Sequence, residues 1–329
     1  MRQCRGLRLI AARVLAGALF LCAVPARAGV AEDRAALHAL QAEDLRLQSI
    51  GWRLATGNAP FCNPAPPAIG LLLQDMANYS QPAAMRAAAG IAGDMAVGAV
   101  VPGSPAAAAG MAANDEILSI ADRPISALPA ARPGDWRRLA NLHDAVDAAL
   151  ARDGAVTVAW RDAGGTVHDA RVTGVPACYT RFELLSSGGR ASADGKRVVI
   201  GRDFSGLGME EPEMAAALAH ELAHNLLAHR AWLRKEGRTV GNIRQTEREA
   251  DRLMPWLLAN AGYDPAAAAR FFRQWGPRHG GWIFRARTHD GWDERAEFVT
   301  AELPKIAAMR AAGGMADWRT GFARTATKR

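Results

Sequence analysis

Residues 211–224 read Glu-Pro-Glu-Met-Ala-Ala-Ala-Leu-Ala-His-Glu-Leu-Ala-His. Pro212 near the first turn, with Glu211 and Glu213 at the positive end of a helix dipole, marks a helix start. The run that follows, through Leu227, is rich in Ala and Leu and contains no breaker, so the spacing predicts a continuous helix. On a helix, residues four apart lie about 40° apart around the axis and about 6 Å along it. His220 and His224 therefore present two imidazoles to one ion, and Glu221 projects beside them, where a carboxylate can hold a water. An H-E-x-x-H of this kind arises by chance in about one such chain in a hundred. The bland alternative is a structural histidine pair on a buried helix.

A zinc hydrolase needs a third protein ligand and one open position. His229 is five residues beyond His224, about 140° round a continuing helix, and is not placed to join the same ion. Arg230 stands where a third histidine of the metzincin spacing would be. The better candidate is Glu247-Arg248-Glu249-Ala250-Asp251 on a second predicted helix. Glu247 and Asp251 are four apart and share a face, so one can bind metal while the other supports a histidine ligand. Glu249 falls on another face and is expected to be a solvated acid. Pro255 removes a helix bond and predicts a bend. Trp232, Trp256, Trp275, Trp282 and Trp292 read as core packing. His38, His143 and His168 have no partner at ligand spacing and read as incidental.

Outward from this site, the 329 residues are 50% apolar and 22% charged, a globular composition long enough for two domains. The formal charge of +7 suggests nucleic acid, but Arg2, Arg5, Arg8, Arg13 and Arg27 all fall in the first 28 residues, which hold no acid. Without them the charge drops by five to +2, so no basic binding face is indicated and no nucleic-acid partner is expected. Residues 1–28 read as a signal peptide: a basic start, an apolar run over 14–24 and an Ala26-Arg27-Ala28 exit. An uncleaved anchor is the alternative, although the apolar run is about half the roughly 20 residues a spanning helix needs. The mature chain is expected to be periplasmic or secreted, with no transmembrane segment. Cys4 and Cys22 leave with the leader, and Cys62 and Cys178 are expected to pair as a disulfide, against the alternative of two buried thiols.

Residues 32–57 carry Leu37, Leu40, Leu47, Ile50 and Leu54 at helical spacing, and four prolines within 58–67 end that helix. Short strands then follow at 69–74, 96–101, 116–120, 155–161 and 167–173, with a helix over 141–152. Val100-Val101-Pro102-Gly103-Ser104-Pro105-Ala106, Ala109-Gly110-Met111 and Asn114-Asp115-Glu116-Ile117-Leu118-Ser119-Ile120 resemble the central motif of bacterial PDZ domains. Asn114 replaces the usual glycine, a replacement the left-handed backbone tolerates. Ala68-Ile69-Gly70-Leu71 looks like the loop that opens a PDZ peptide groove. The resemblance implies that Ile69, Gly70 and Leu71 hold a C-terminal carboxylate while the peptide adds a strand to the sheet edge. A PDZ fold that only packs on its neighbour is the alternative.

The second half resembles the HtpX/CAAX-prenyl-protease family of gluzincin-type zinc metallopeptidases. The likeness rests on His220–His224 with the trailing His229, on the E-x-x-A-D element 247–251, and on Ala261-Gly262-Tyr263-Asp264-Pro265. It implies that His220, His224 and Glu247 bind one Zn2+ per chain, that Glu221 is the general base, and that Asp251 supports a ligand from behind. It also brings His289 or Arg295 forward as an oxyanion donor, with His289 the catalytic candidate. The family's N-A-x-A-x-G appears here as Arg190-Ala191-Ser192-Ala193-Asp194-Gly195, and its T-H-P…R as Thr288-His289-Asp290…Arg295. The strand at 197–202 is expected to be the edge on which extended substrate pairs.

The expected fold class is α+β: an N-terminal helix, a PDZ-type β domain with a helix, then a mainly helical zincin domain with a small sheet. The expected divisions are a signal peptide over 1–28, an N-terminal helix over 29–62, a PDZ domain over 63–176, a zinc metallopeptidase domain over 177–312 and a flexible tail over 313–329. The expected function is zinc-dependent endopeptidase activity on unfolded or extended polypeptides of the cell envelope, with C-terminal peptides at the PDZ groove. The alternatives are a zinc-binding chaperone or adaptor without turnover, and a PDZ peptide-binding protein with structural zinc.

Overall fold

A computed structural model describes residues 26–131, 134–279 and 290–324, for 26–28 and 279 the backbone alone. The signal-peptide expectation lies almost wholly outside these residues. The chain is mixed α+β, its strands lying between residues 67 and 201 and the part that follows mainly helical. Helix α1 (Ala26–Gly57) serves both halves. Leu37 packs with Met76, Ala88 and Ala96 of the first module, while Leu47, Ile50 and Leu54 enter the core of the second. Full burial of each such side chain contributes about 1.5–3 kcal/mol.

In the first module the elements are β1 (Pro67–Ala68), β2 (Leu71–Asp75), α2 (Pro82–Ala89), β3 (Met95–Val100), α3 (Pro105–Ala108), β4 (Glu116–Ile120), β5 (Arg123–Pro124), α4 (Arg137–Asp153), β6 (Ala155–Arg161), β7 (Val167–Thr173) and β8 (Val175–Pro176). The main sheet runs in the order β2-β3-β4-β6-β7, with β5 paired to β4, and every pairing in it is antiparallel. Strand β1 pairs with β8, which brings the module's entry and exit together. The observed strands agree with the expected ones to within two residues at each end, and α4 starts four residues earlier than the apolar spacing indicates. Helix α4 ends at Gly154, whose φ of 68° supplies the left-handed cap. Asn114 does take up a left-handed backbone, at φ 71°. Its side chain accepts from Gln41 Nε2 of α1 at 2.7 Å, which a glycine could not do.

The second module begins with a three-stranded sheet of β9 (Arg181–Leu185), β10 (Ala191–Ala193) and β11 (Arg197–Gly201) in the order β10-β11-β9. Here an expectation is corrected: β11 is the central strand, and the free edge beside the helical layer is β10. The motif over 190–195 supplies that edge. Among the described residues, six helices follow: α5 (Glu211–Leu226), α6 (His229–Glu236), α7 (Val240–Asn260), α8 (Ala267–His279), α9 (Trp292–Thr300) and α10 (Leu303–Ala311), and then the single turn α11 (Trp318–Gly321). On β9, Phe182 lies so close to Gly51 of α1 that a β-carbon there would sit 2.3 Å from its ring. Cys62 and Cys178 form the expected disulfide, with Cα atoms 5.4 Å apart. Closing a loop of sequence separation 116 restricts the unfolded chain by about 4–5 kcal/mol in the entropy model.

Within 313–324, the described part of the expected flexible tail, the structure departs from that expectation. Ala316, Trp318 and Phe322 are buried. Trp318 Nε1 donates to Asn58 Oδ1 at 3.2 Å, and the same oxygen accepts from Asn260 at 2.9 Å. One buried asparagine thus ties α1, α7 and the C-terminal turn together. Scattered aromatic anchors do not make a periodic pattern, so the sequence gives no amphipathic signal for this packing.

Candidate metal centre and peptide groove

Helix α5 packs along α7, and the predicted ligand atoms meet between them. His220 Nε2 and His224 Nε2 are 3.2 Å apart, Glu247 Oε2 is 3.3 Å from the first, and Glu247 Oε1 is 3.6 Å from the second. Two ligands at zinc distances of about 2.0–2.1 Å, at the tetrahedral angle, are separated by about 3.3 Å. The three side chains therefore fit a tetrahedral ion while leaving a fourth direction open. They also retain access to a cavity: His220, His224 and Glu247 are 12%, 15% and 14% exposed, against 1% for Asp251 behind them. That cavity, of about 800 Å³, is also lined by Glu221, by Ser192 and Ala193 of β10, and by Phe271 and Trp275.

Asp251 stands where the spacing puts a supporting acid. Its Oδ1 lies 2.9 Å from His220 Nδ1, an ion-pair distance although off the line of a good hydrogen bond. Arg295 holds the same carboxylate from behind through Nε and Nη2, both at 2.7 Å, and stacks over Phe272 at 4.3 Å. Arg295 lines the cavity as well, but its guanidinium is committed to Asp251, which weighs against an oxyanion role as its main task. His289 lies outside the described residues. Burial alone would lower the His220 pKa, but Asp251 and then Glu247 outweigh it and hold the imidazole up at about 10. The surroundings of His220 thus favour positive charge at this point. Burial raises the Asp251 pKa, yet Arg295 and then His220 bring it below the usual carboxylate range.

Two sequence readings are corrected around His224. The α5 helix does not continue past residue 227: Ala228 turns left-handed at φ 53°, and His229 opens α6. This turn swings His229 back, so that its Nδ1 lies 2.9 Å from His224 Nδ1. Glu249, expected in solvent, is 1% exposed and accepts from His229 Nε2 at 3.2 Å. Helical phase alone assigns Glu249 to the far side of α7, but α6 and the C-terminal segment cover that side.

A second cavity, of about 780 Å³, lies between α4, the β1–β2 loop, α1 and β9. Ile69, Gly70 and Leu71 all line it, as the loop resemblance implies. Gly70 has φ 69°, and a β-carbon on it would sit 2.4 Å from Ser104 Cβ, so the loop's shape requires glycine. The outer edge of β2 borders this groove, since β2 pairs only with β3. His143, read as incidental, belongs here: it lines this groove together with Leu71 and Leu72. Burial, then the Arg181 guanidinium, pushes the His143 pKa down to about 4. Arg181 of β9 closes the far side, with Nη1 2.8 Å from Asp144 and 2.9 Å from Asp147 on α4.

Comparison with known families finds a PDZ domain at residues 97–148, a span from β3 into α4. Neither curated proteins nor solved structures give a match to this chain. A PDZ domain thus lies within the first module, and its presence points to peptide binding or regulation. Among the described residues, no helix is long and apolar enough to cross a membrane.

Proposed function

We propose that the protein is an exported zinc-dependent endopeptidase of the HtpX/CAAX-prenyl-protease type, with a PDZ groove that receives polypeptide C-termini or regulates turnover. The observation that carries the reading is the meeting of His220, His224 and Glu247, whose ligand atoms lie within 4.8 Å of one another beside Glu221 in one cavity. The disulfide between Cys62 and Cys178 supports an oxidising compartment.

The roles follow from position. His220, His224 and Glu247 would hold zinc, which when bound supplies Lewis acidity and lowers the pKa of water at the site. Glu221 takes the proton from the attacking water and passes it to the leaving amine. Asp251 orients His220, and Arg295 keeps Asp251 ionised and fixed. An extended substrate has the free edge of β10 available for main-chain pairing, where Ser192 and Ala193 border the cavity.

The test compares zinc-loaded wild type with Glu221→Gln on unfolded protein substrates. Loss of a general base lowers turnover by about 10²–10⁴-fold while zinc stays bound. Equal cleavage by both proteins, or cleavage by neither, would overturn the protease assignment. At the groove, free-carboxylate peptides are expected to bind more tightly than their amidated forms, and equal affinity would defeat carboxylate recognition.

A further inference from the structure

We infer that His229, Glu249 and Arg324 form a relay that fixes the tautomer and orientation of His224, so that the C-terminal segment is part of the metal centre. The inference rests on the zinc reading above. Its observation is a continuous line of polar contacts that the ligand spacing does not require. His224 Nδ1 lies 2.9 Å from His229 Nδ1, and His229 Nε2 lies 3.2 Å from Glu249 Oε2. The same oxygen accepts from Arg324 Nε at 2.9 Å. The remaining oxygen, Oε1, accepts from Gln245 Nε2 at 3.2 Å. His229 and Glu249 are each 1% exposed, so solvent does not substitute for any link between them.

Proton counting gives the line a direction. Two ring nitrogens 2.9 Å apart share one proton: two N–H groups would clash, and two lone pairs would repel. Glu249 accepts from Arg324 at Oε2 and from Gln245 at Oε1, so the nitrogen of His229 facing it carries a hydrogen. A neutral His229 then has a lone pair on Nδ1 and accepts the Nδ1 hydrogen of His224. His224 is left with its lone pair on Nε2, the atom that faces His220 and Glu247. The opposite assignment sets a lone pair of His229 against the Glu249 carboxylate. The arrangement thus selects the His224 tautomer that can bind a cation.

The two histidine ligands are therefore backed differently. His220 meets a carboxylate directly, and Arg295 anchors that carboxylate; His224 reaches its carboxylate through a second imidazole, and Arg324 is the anchor. Arg324 sits just past the buried Phe322, so the end of the chain clamps Glu249 from outside. The role is one of positioning: none of the three residues would touch the ion.

The experiment measures zinc affinity by chelator competition, together with the visible spectrum of the cobalt-substituted protein. Wild type is expected to bind one zinc. His229→Leu is expected to bind it about 10–100-fold more weakly and to shift the cobalt bands. His229→Asn, whose side-chain oxygen can accept from His224 Nδ1, is expected to recover part of the loss. Arg324→Ala, at a side chain 46% exposed, folds even if the buried variants do not, and is expected to lose less than about tenfold. Unchanged affinity and spectrum in a folded His229→Leu, or in Arg324→Ala should the His229 variants fail to fold, would overturn the relay alone. A wild type that binds no zinc would overturn the zinc reading and the relay with it.

Discussion

The two cavities are of nearly equal size and are built on opposite principles. The groove between α4 and the β1–β2 loop offers backbone on one side, a left-handed glycine and a sheet edge, with Arg181, Asp144 and Asp147 closing the other. The cavity between α5 and α7 is made of side chains, and its polar groups are wired outward in two lines that each end in an arginine. A site that holds a peptide needs unsatisfied main-chain groups at a fixed curvature, so its residues are small. A site that would hold a cation needs several lone pairs at one point, and each donor must be held by something else.

The largest effect expected from separating the two is at the ligands. Glu247→Ala should weaken zinc binding by about 10³-fold, taking one ligand's share of the binding energy of a structural site. Chelator competition measures it, and peptide affinity at the groove should not change. A matching loss at the groove would show that the cavities are not independent. Gly70→Ala is the converse. A positive φ and a clash with Ser104 should destabilise the first module by about 1–3 kcal/mol and weaken peptide binding, with zinc affinity intact. Thermal melts and peptide titration on the full chain would check it.

The smallest effect is a pH dependence at His143. Its folded pKa of about 4 lies below the ordinary 6.5, so the unfolded chain binds the extra proton first. Stability is therefore full above about pH 6.5 and falls as the pH drops towards 4. The groove leaves this side chain partly exposed, so the expected loss is about 1–2 kcal/mol. His143→Gln should flatten that part of the stability profile, as denaturant unfolding at a series of pH values would show. An unaltered slope would mean that Asp147 or another group dominates there.

Much of this organisation was legible in the sequence because it depends on local periodicity. The α5 start, the strands of the first module, the pairing of Cys62 with Cys178 and the shared face of His220 and His224 each follow from spacing or from a count, whereas the choice of Glu247 over Asp251 came from the family resemblance. The misreadings share one cause. Glu249 was assigned to solvent and His229 to a continuing helix, because a helical wheel assumes that the helix goes on and that its far side is bare. The left-handed turn at Ala228 breaks the first assumption, and α6 with Arg324 breaks the second. His143 looked incidental for the same reason, since the β1–β2 loop with which it lines the groove is far away in sequence.

What the sequence determined by itself is which side chains share a face of one element, since backbone geometry sets that repeat without reference to the rest of the chain. Which faces are covered, and by what, was decided only when the elements packed. Burial and the hydrogen bonds it enforces belong to pairs of elements, and so no single stretch of residues encodes them.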